Sequence, residues 1–252
     1  MIGLPEIAIS LHALPASGAN PIRSNIETIA GLGVRAIALD AAIDGLRPRQ
    51  LSRSARRDLA AILRREQLEL STIDLWIPPQ HFTAASASQR AFDATTQALG
   101  LAAELAPLVS ARSRPIVSLT LPEDESIRTE LAFQAQHLGA LIADHSIHSQ
   151  TPQPSPGIGI GIDPVFYLAD ARSPAKGVTS AGDALASARL SDTNAIGRCP
   201  INAPGAKLDL AAYAGALIVS GQPWVTLDLR DLPEPFSAAR TAIDAWHRAG
   251  SI

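Results

Sequence analysis

Apolar positions along the chain follow two spacings in turn. Runs with an apolar residue at every second position, typical of strands, are followed by runs with apolar residues every three to four positions, typical of amphipathic helices. The predicted strands are 6–11, 35–41, 69–78, 114–122, 145–150, 158–166, 185–192 and 223–231. Because every strand except the fifth leads into a stretch long enough to cross back over a sheet, the pattern predicts a parallel sheet.

The connections around strands five and six are the least regular. The helix before strand five opens at Asp124, a natural N-cap, and its apolar stripe is predicted to reach Ile142. Residues 151–157 (TPQPSPG) then join strands five and six, and this proline-rich segment is too short and rigid for a helical crossover. The crossover after strand six has a weak helical signal, with Pro174 and Gly177 as helix breakers.

The two last strands each have an aspartate near the carboxyl end, Asp192 and Asp228. In a (β/α)8 barrel the loops at this end of the strands form the site, and such barrels have about 250 residues. The chain has 252 residues and no linker that would divide it. We therefore predict an α/β fold, a (β/α)8 TIM barrel that is irregular between strands five and six, in a single domain spanning 1–252.

Composition excludes several kinds of protein. The net charge of −3 gives no general attraction to nucleic acid or anionic lipid, and no apolar run approaches the ~20 residues of a membrane span. The single cysteine, Cys199, excludes an internal disulfide and a cysteine-rich zinc site. Because the first residues lack the basic lead of a signal peptide, we expect a cytoplasmic protein. The net charge and the short apolar runs lead us to expect no nucleic-acid partner and no membrane partner. A homo-oligomer remains open.

A dense group of arginines stands in the second unit. A nucleic-acid surface is one interpretation of such a cluster, and a solvated outer helix face is the more common one. We favour the solvated face. The arginines are Arg47, Arg49, Arg53, Arg56, Arg57, Arg64 and Arg65.

The motifs of the last units resemble those of the xylose isomerase-like barrels, the superfamily of sugar isomerases, sugar epimerases and the endonuclease IV type of DNA repair enzyme. In that family the seventh strand ends in H-x-x-D, an arginine and a P-G-x-G-x-[IL]-D turn follow, and the eighth strand ends in a glutamate. This chain has Asp192, Arg198, PGAKLD at 204–209 and VTLDLR at 225–230. The spacing of these motifs matches the family pattern, whereas several residues at the family's metal-ligand positions differ.

The resemblance implies a divalent ion, Mn or Mg, held by Glu, Asp, His and Glu from strands five to eight. Asp163 takes the ligand position on strand six, and Asp228 replaces the glutamate on strand eight. The strand-seven histidine is replaced by Leu190 or Ser191, and the predicted strand five offers only His148 or Gln150.

Two carboxylates out of four ligands make a poor divalent site. We therefore expect no bound metal. If the site is active, the resemblance implies a divalent ion (Mn or Mg) on Asp163, Asp228 and His148, which are also the candidate catalytic residues. The alternative for Asp163 is a turn residue before Pro164, and that for His148 is a hydrogen-bonded strand end.

Four further residues are candidates for binding a small carbohydrate-like ligand. Arg198 lies where the family often places an arginine that grips hydroxyls or a phosphate, although a loop arginine on the surface is an equal alternative. His12 and Trp76 stand at the ends of strands one and three, on the same face of the predicted barrel. The Trp76 indole either forms a wall for a sugar ring or caps the core. Asp192 is the fourth.

Two functions follow from this pattern. The first is a sugar isomerase or epimerase-like barrel that binds a small sugar or polyol at the C-terminal face, with metal chemistry reduced or lost. The alternative is a catalytically silent barrel that acts as a binding or assembly partner. The sequence leaves open whether the protein is an enzyme, because fold-level analogy does not transfer chemistry.

Overall fold

Eight parallel strands close into a barrel. The computed structural model describes residues 3–15, 20–147 and 155–250. A small antiparallel pair of strands lies in the loop that follows the seventh barrel strand. The eight barrel strands are given below in their order around the closed sheet. They are β1 (Glu6–Ser10), β2 (Ala36–Asp40), β3 (Glu69–Asp74), β4 (Ile116–Leu119), β5 (Leu141–Asp144), β6 (Ile158–Ile162), β7 (Leu185–Leu190) and β10 (Trp224–Leu227), with β8 (Asp192–Thr193) and β9 (Arg198–Cys199) as the pair. The predicted (β/α)8 barrel is confirmed.

Helices cover the outside of the barrel. They are α1 (Pro21–Gly31), α2 (Arg53–Arg65), α3 (Gln80–Thr83), α4 (Ser88–Val109), α5 (Glu125–His137), α6 (Pro164–Ala169), α7 (Pro174–Ala181), α8 (Leu210–Ser220) and α9 (Pro235–Ala249), with 3-10 turns at Pro48–Gln50 and Gly182–Ala184. Side-chain caps set several starts, and Asp124 accepts the backbone N–H of Ser126 and of Ile127 as predicted. No helix in the described ranges is long and apolar enough to cross a membrane.

The barrel closes between the first and the last strand. β1 pairs in parallel with β10, from Glu6 opposite Trp224 to Ile9 opposite Leu227. Outside the sheet, the buried indole N–H of Trp246 in α9 donates to the carbonyl of Pro5 at 2.8 Å. The two ends of the fold are therefore joined by a ladder and by a buried side chain.

The predicted fifth strand is wrong. The strand is β5, LIAD, and residues 145–147 of the predicted HSIHSQ lie beyond it, while 148–150 are outside the described residues. The preceding helix ends at His137, and Gly139 has a φ of 68°, a left-handed conformation that ends helices. Ile142 therefore belongs to the strand and not to the helical stripe.

The connections on both sides of β6 differ in kind. Most of the proline-rich segment, 151–154, lies outside the described residues, and 155–157 are not helical. After β6 the structure has α6 and α7, although Pro174 and Gly177 suggested breaks. Pro174 begins α7 at a position that needs no N–H donor. Gly177 lies inside this helix, and the position requires glycine because a Cβ there would stand 2.4 Å from the Tyr167 ring.

Candidate functional site

Aspartates collect at the carboxyl ends of the barrel strands. Parallel strands bring these ends to one face, so side chains from distant parts of the sequence meet there. Five of these aspartates, on or directly after β2, β3, β5, β6 and β10, are all at most 4% exposed. They are Asp40, Asp74, Asp144, Asp163 and Asp228. Buried carboxylates require partners, and most of these partners are cationic.

Three guanidinium groups surround Asp163 and Asp228. Arg198 forks between them, with Nη1 donating to Asp228 Oδ2 at 2.8 Å and Nη2 to Asp163 Oδ2 at 2.9 Å. Arg230 donates from Nε and Nη2 to Asp228 and reaches Asp163 Oδ2 at 3.3 Å. Arg189 approaches the same two Oδ2 atoms at 3.7 and 4.0 Å. With Asp74, these residues form what we call the arginine–aspartate cluster.

Arg189 is the most buried member of the cluster, at 2% exposure. It projects from β7 among small and apolar residues, donates to Ser118 Oγ at 2.9 Å and lies 3.5 Å from Asp74 Oδ1. Burial lowers the pKa of Arg189 from its ordinary value, and Asp74, Asp163 and Asp228 oppose that change. Arginine nevertheless remains a cation in proteins, so Arg189 is a fixed positive charge inside the barrel.

The pKa values of the aspartates follow their distances from these cations. Burial, the largest single effect, disfavours ionised Asp163, but Arg198, Arg189 and Arg230 together outweigh it and hold its pKa at about 2. The pKa of Asp228 is lowered in the same way, against burial, by Arg230 and Arg198. The pKa of Asp74 is raised, because burial exceeds the attraction of Arg189. Asp163 and Asp228 are therefore weak bases.

Arg198 is positioned by the loop after β7. It stands on β9, which pairs with β8 through Thr193 opposite Arg198. Asp192 lies apart from the cluster, and its Oδ1 accepts the backbone N–H groups of Thr193, Lys207 and Leu208 at 2.7, 2.9 and 2.9 Å. Asp192 thus ties the two ends of the loop together, and this arrangement presents Arg198.

A histidine–aspartate pair lies beside the cluster. His12 Nδ1 is 2.5 Å from Asp40 Oδ2, and Asp40 Oδ1 accepts the N–H of Ala42. With the proton on Nδ1, His12 donates to the carboxylate and its Nε2 is an acceptor. The ring is partly exposed and lies 5.1 Å from the Trp76 ring.

Two cations of the arginine–aspartate cluster stack on the ring of Trp76. The guanidinium carbons of Arg189 and Arg230 lie 3.9 and 3.5 Å from the centre of its ring. A cation over an indole face is attracted by the ring quadrupole. Trp76 therefore holds arginines in place, and its ring face is not a free wall for a sugar.

A buried histidine borders the cluster on the other side. Ser118 Oγ accepts from Arg189, so its own proton is directed to His145 Nε2, 2.7 Å away. Burial first, and then Arg189 and Arg230, lower the pKa of His145 well below its ordinary value. His145 is therefore neutral, with its proton on Nδ1, for which the described residues offer no acceptor.

The structure brings together most of the residues that the sequence singled out. Asp163, Asp228 and Arg198 meet directly, and His12 and Trp76 touch beside them. His148 lies outside the described residues. Strand five was predicted to lack a carboxylate, and this is wrong. Asp144 ends β5, where it accepts from Arg128 at 2.8 Å and from Ser146, away from the cluster.

Sequence reasoning missed four members of the site, Arg189, Arg230, Asp74 and Asp40, as site residues. A signal existed for Arg189, because a charged residue inside the run LASARL contradicts the small and apolar character of a buried strand. Arg230 stands two residues after Asp228, in the motif already noted, and its side chain turns back onto that carboxylate.

The residues present do not fit the divalent ion that the resemblance implies. Asp163 Oδ1 accepts from Ser191 at 2.7 Å and its Oδ2 from Arg198, while Arg198 and Arg230 both hold Asp228 Oδ2. Among residues 3–15, 20–147 and 155–250, no three His, Cys, Asp or Glu side chains are grouped so that they could hold a metal ion. A dication would have to displace guanidinium groups that already neutralise the carboxylates.

No family model and no curated protein matches this sequence. Among solved structures, it is similar to a xylose isomerase domain protein from Planctomyces limnophilus (12% identity, TM-score 0.71, covering 98% of this chain and 97% of that one). It is also similar to D-psicose 3-epimerase with D-tagatose from Clostridium cellulolyticum H10 (13%, 0.66, 97% and 99%). A third is a xylose isomerase-like TIM barrel protein from Mycobacterium smegmatis in complex with magnesium (12%, 0.69, 97% and 97%). The chain therefore shares the TIM barrel fold of these proteins.

Proposed function

We propose that this protein is a sugar isomerase or epimerase-like barrel that binds a small sugar or polyol at the carboxyl face, with guanidinium groups in place of a divalent ion. One observation carries the proposal. The Oδ2 atoms of Asp163 and Asp228 are shared by Arg198 and Arg230, with Arg189 behind them. The fold of proteins named for sugars, such as D-psicose 3-epimerase, supports the ligand class.

Guanidinium groups can take over part of the work of a cation. They bind oxygen atoms through N–H groups in a fixed planar arrangement and stabilise negative charge that develops on a carbonyl oxygen. Arg198 Nε and Arg230 Nη1 have no acceptor in the described part of the chain, and the two side chains are 11% and 18% exposed. These N–H groups are free to bind the oxygens of a ligand.

In this proposal, His12 is the residue that transfers protons. Asp163 and Asp228 are ionised, have lowered pKa values and are already hydrogen-bonded, so they accept protons poorly. His12 has Asp40 to orient it and an open Nε2 on a partly exposed ring. Abstraction of a proton next to a carbonyl by Nε2, with an arginine N–H on the carbonyl oxygen, would complete one half of an isomerisation.

The binding or assembly partner remains the second candidate, and one observation favours it. The two aspartates predicted to be catalytic are used to neutralise arginines inside the protein. A site whose charges satisfy each other can bind a ligand and still do no chemistry.

Ketohexoses such as D-fructose and D-tagatose test the two candidates together. We expect saturable binding in ligand-observed NMR, weakened about tenfold by Arg198→Met. In D2O, we also expect deuterium to appear at the carbon next to the carbonyl, and His12→Gln should stop this exchange while binding persists. Binding without exchange would favour the silent barrel. If no sugar or polyol of a broad panel binds, the proposal fails.

Metal is tested separately. A site with a Kd of about 1 µM would add about 4 kcal/mol of stability in 1 mM MnCl2. We expect the melting temperature to change by less than about 1 °C, and the purified protein to contain far less than one Mn, Mg, Zn or Co per chain. A stoichiometric metal that is lost in Asp163→Asn would contradict the replacement of the ion by arginine.

A further inference from the structure

A cavity opens outside the arginine–aspartate cluster. Its volume is about 370 Å³, and it lies between the segments that follow β2 and β3 and the helix α4. Ala41, Leu75 and Ile77 supply an apolar wall. Because Ala41 follows Asp40 and Leu75 follows Asp74, the cavity lies at the same face of the barrel as the proposed site.

The cavity is positively charged. Three arginines and one aspartate are its charged lining residues, Arg47, Arg49, Arg90 and Asp93, which gives 3 − 1 = +2 in a protein whose net charge is −3. A concave surface with apolar walls concentrates such a potential. The charge of this lining therefore runs against that of the molecule as a whole.

Two of the three guanidinium groups are held in place by the backbone. Arg47 Nε donates to the carbonyl of Ala42 at 3.1 Å, with Asp44 3.7 Å away, and Arg90 Nη2 donates to that of Ser86 at 2.9 Å. Arg49, exposed on the 3-10 turn, has no side-chain acceptor among the described residues. Each group thus keeps N–H donors for a ligand, and two need little ordering on binding.

Two of these arginines, Arg47 and Arg49, belong to the group of seven arginines noted in the sequence, and the structure separates them from the other five. Arg56 pairs with Glu104 and donates to the carbonyl of Pro48, and Arg65 pairs with Glu27 and Glu66. Neither side chain lines the cavity. Arg53 and Arg57 are exposed on α2 and do not line the cavity. Of the seven arginines in this stretch of sequence, Arg47 and Arg49 are the two that line the cavity.

We propose that this cavity binds the phosphate monoester group of a small molecule. A dianionic phosphate matches the charge of +2, and its oxygens suit guanidinium forks better than a single carboxylate does. The apolar wall of Ala41, Leu75 and Ile77 contacts the carbon part of the same ligand. The proposal is independent of the sugar chemistry at the arginine–aspartate cluster.

Titration with phosphate compounds at constant ionic strength tests this site. The probes are inorganic phosphate, glycerol phosphate and glycerol, and binding is followed by 31P NMR line width and by the melting temperature. We expect glycerol phosphate to bind more tightly than inorganic phosphate, and glycerol not to bind. Arg49→Ala and Arg90→Gln should each weaken binding about tenfold. Arg53→Ala and Arg57→Ala, which remove the same charge from the same region, should leave it unchanged.

Three results would overturn the proposal. They are the absence of saturable binding, equal losses in Arg49→Ala and Arg53→Ala, and loss of phosphate binding in Arg198→Met but not in Arg49→Ala. The last result would place the anion at the arginine–aspartate cluster. Sugar binding in Arg49→Ala should equal that of the wild type, so failure here and failure of the proposed function are distinguishable.

Discussion

The charge on Asp163 depends on the three arginines around it. A buried carboxylate without partners would take up a proton, yet the pKa of Asp163 is held at about 2, below the ordinary 3.8. Two of these cations, Arg230 and Arg198, also lower the pKa of Asp228. Because the folded state favours the ionised form of these two carboxylates, their ionisation stabilises the fold. Acid protonates them and should remove this stabilisation.

Between about pH 4 and pH 2 the stability contributed by Asp163 should fall. In that window the unfolded chain binds a proton at this residue and the folded chain does not, so acidification favours unfolding. The difference in unfolding free energy between the wild type and Asp163→Asn should shrink by about 2 kcal/mol from pH 4 to pH 2. Urea unfolding at several pH values measures it, with the exposed Asp58→Asn as control. A difference that is constant with pH would contradict the assignment.

Arg189 should be the most costly arginine to replace. Removing one partner of a buried ion network leaves the remaining charges uncompensated, at a cost of about 3–5 kcal/mol. We expect Arg189→Met to reduce the unfolding free energy by about this amount in urea titrations. The control Arg57→Met, on an exposed position of α2, should stay within about 0.5 kcal/mol. A loss below about 1 kcal/mol would mean that the cluster holds together without Arg189.

Part of this site could be predicted from the sequence, because position along a barrel strand determines the face. Asp163 and Asp228 were expected at one face on that ground, Arg198 was added from the family resemblance, and the structure joins the three. Their partners could not be predicted in the same way. Arg189 comes from inside β7 and Arg230 bends back onto its own strand end, and neither orientation follows from periodicity.

At the scale of single elements, β5 shows where periodicity fails. Leu138 and Ile142 continue the spacing of α5, so the apolar stripe alone does not mark the end of the helix. The local signal is Gly139, in the left-handed conformation. A strand of four residues offers too few alternations to compete with a helix of 13 residues.

Glycines inside helices give a test at this scale. Replacing a glycine inside a helix by alanine stabilises by about 0.5–1 kcal/mol where the added Cβ meets no other atom. Gly100 in α4 and Gly215 in α8 have open space where a Cβ would stand, and we expect this gain in both. Gly177→Ala in α7 should instead destabilise, because its Cβ would press on the buried Tyr167 ring. Thermal unfolding of the three variants measures the signs. A stabilised Gly177→Ala would show that the ring can move aside.

The fold of the whole molecule was the most predictable feature. Eight repeats of strand and connection, in a chain of barrel length, leave few other arrangements, and the closed order from β1 to β10 confirms the prediction. Closure itself depends on residues far apart in the sequence. Trp246 and Pro5, 241 positions apart, make one buried hydrogen bond that no local sequence pattern predicts.

Replacing Trp246 by phenylalanine should weaken the barrel as one unit. The variant loses the indole N–H that donates to the Pro5 carbonyl and leaves that acceptor without its partner, at a cost of about 1–3 kcal/mol. Since β1 pairs with β10, the amides of both strands should become exposed only when the whole barrel unfolds. In hydrogen-exchange mass spectrometry, we expect Glu6–Ser10 and Trp224–Leu227 to lose protection by equal amounts. This loss should match the decrease in unfolding free energy that urea titration of the same variant measures. Phe133→Leu, at a position 62% exposed, is the control and should change neither. If β1 alone loses protection, the first strand frays locally and the closure contributes little to global stability.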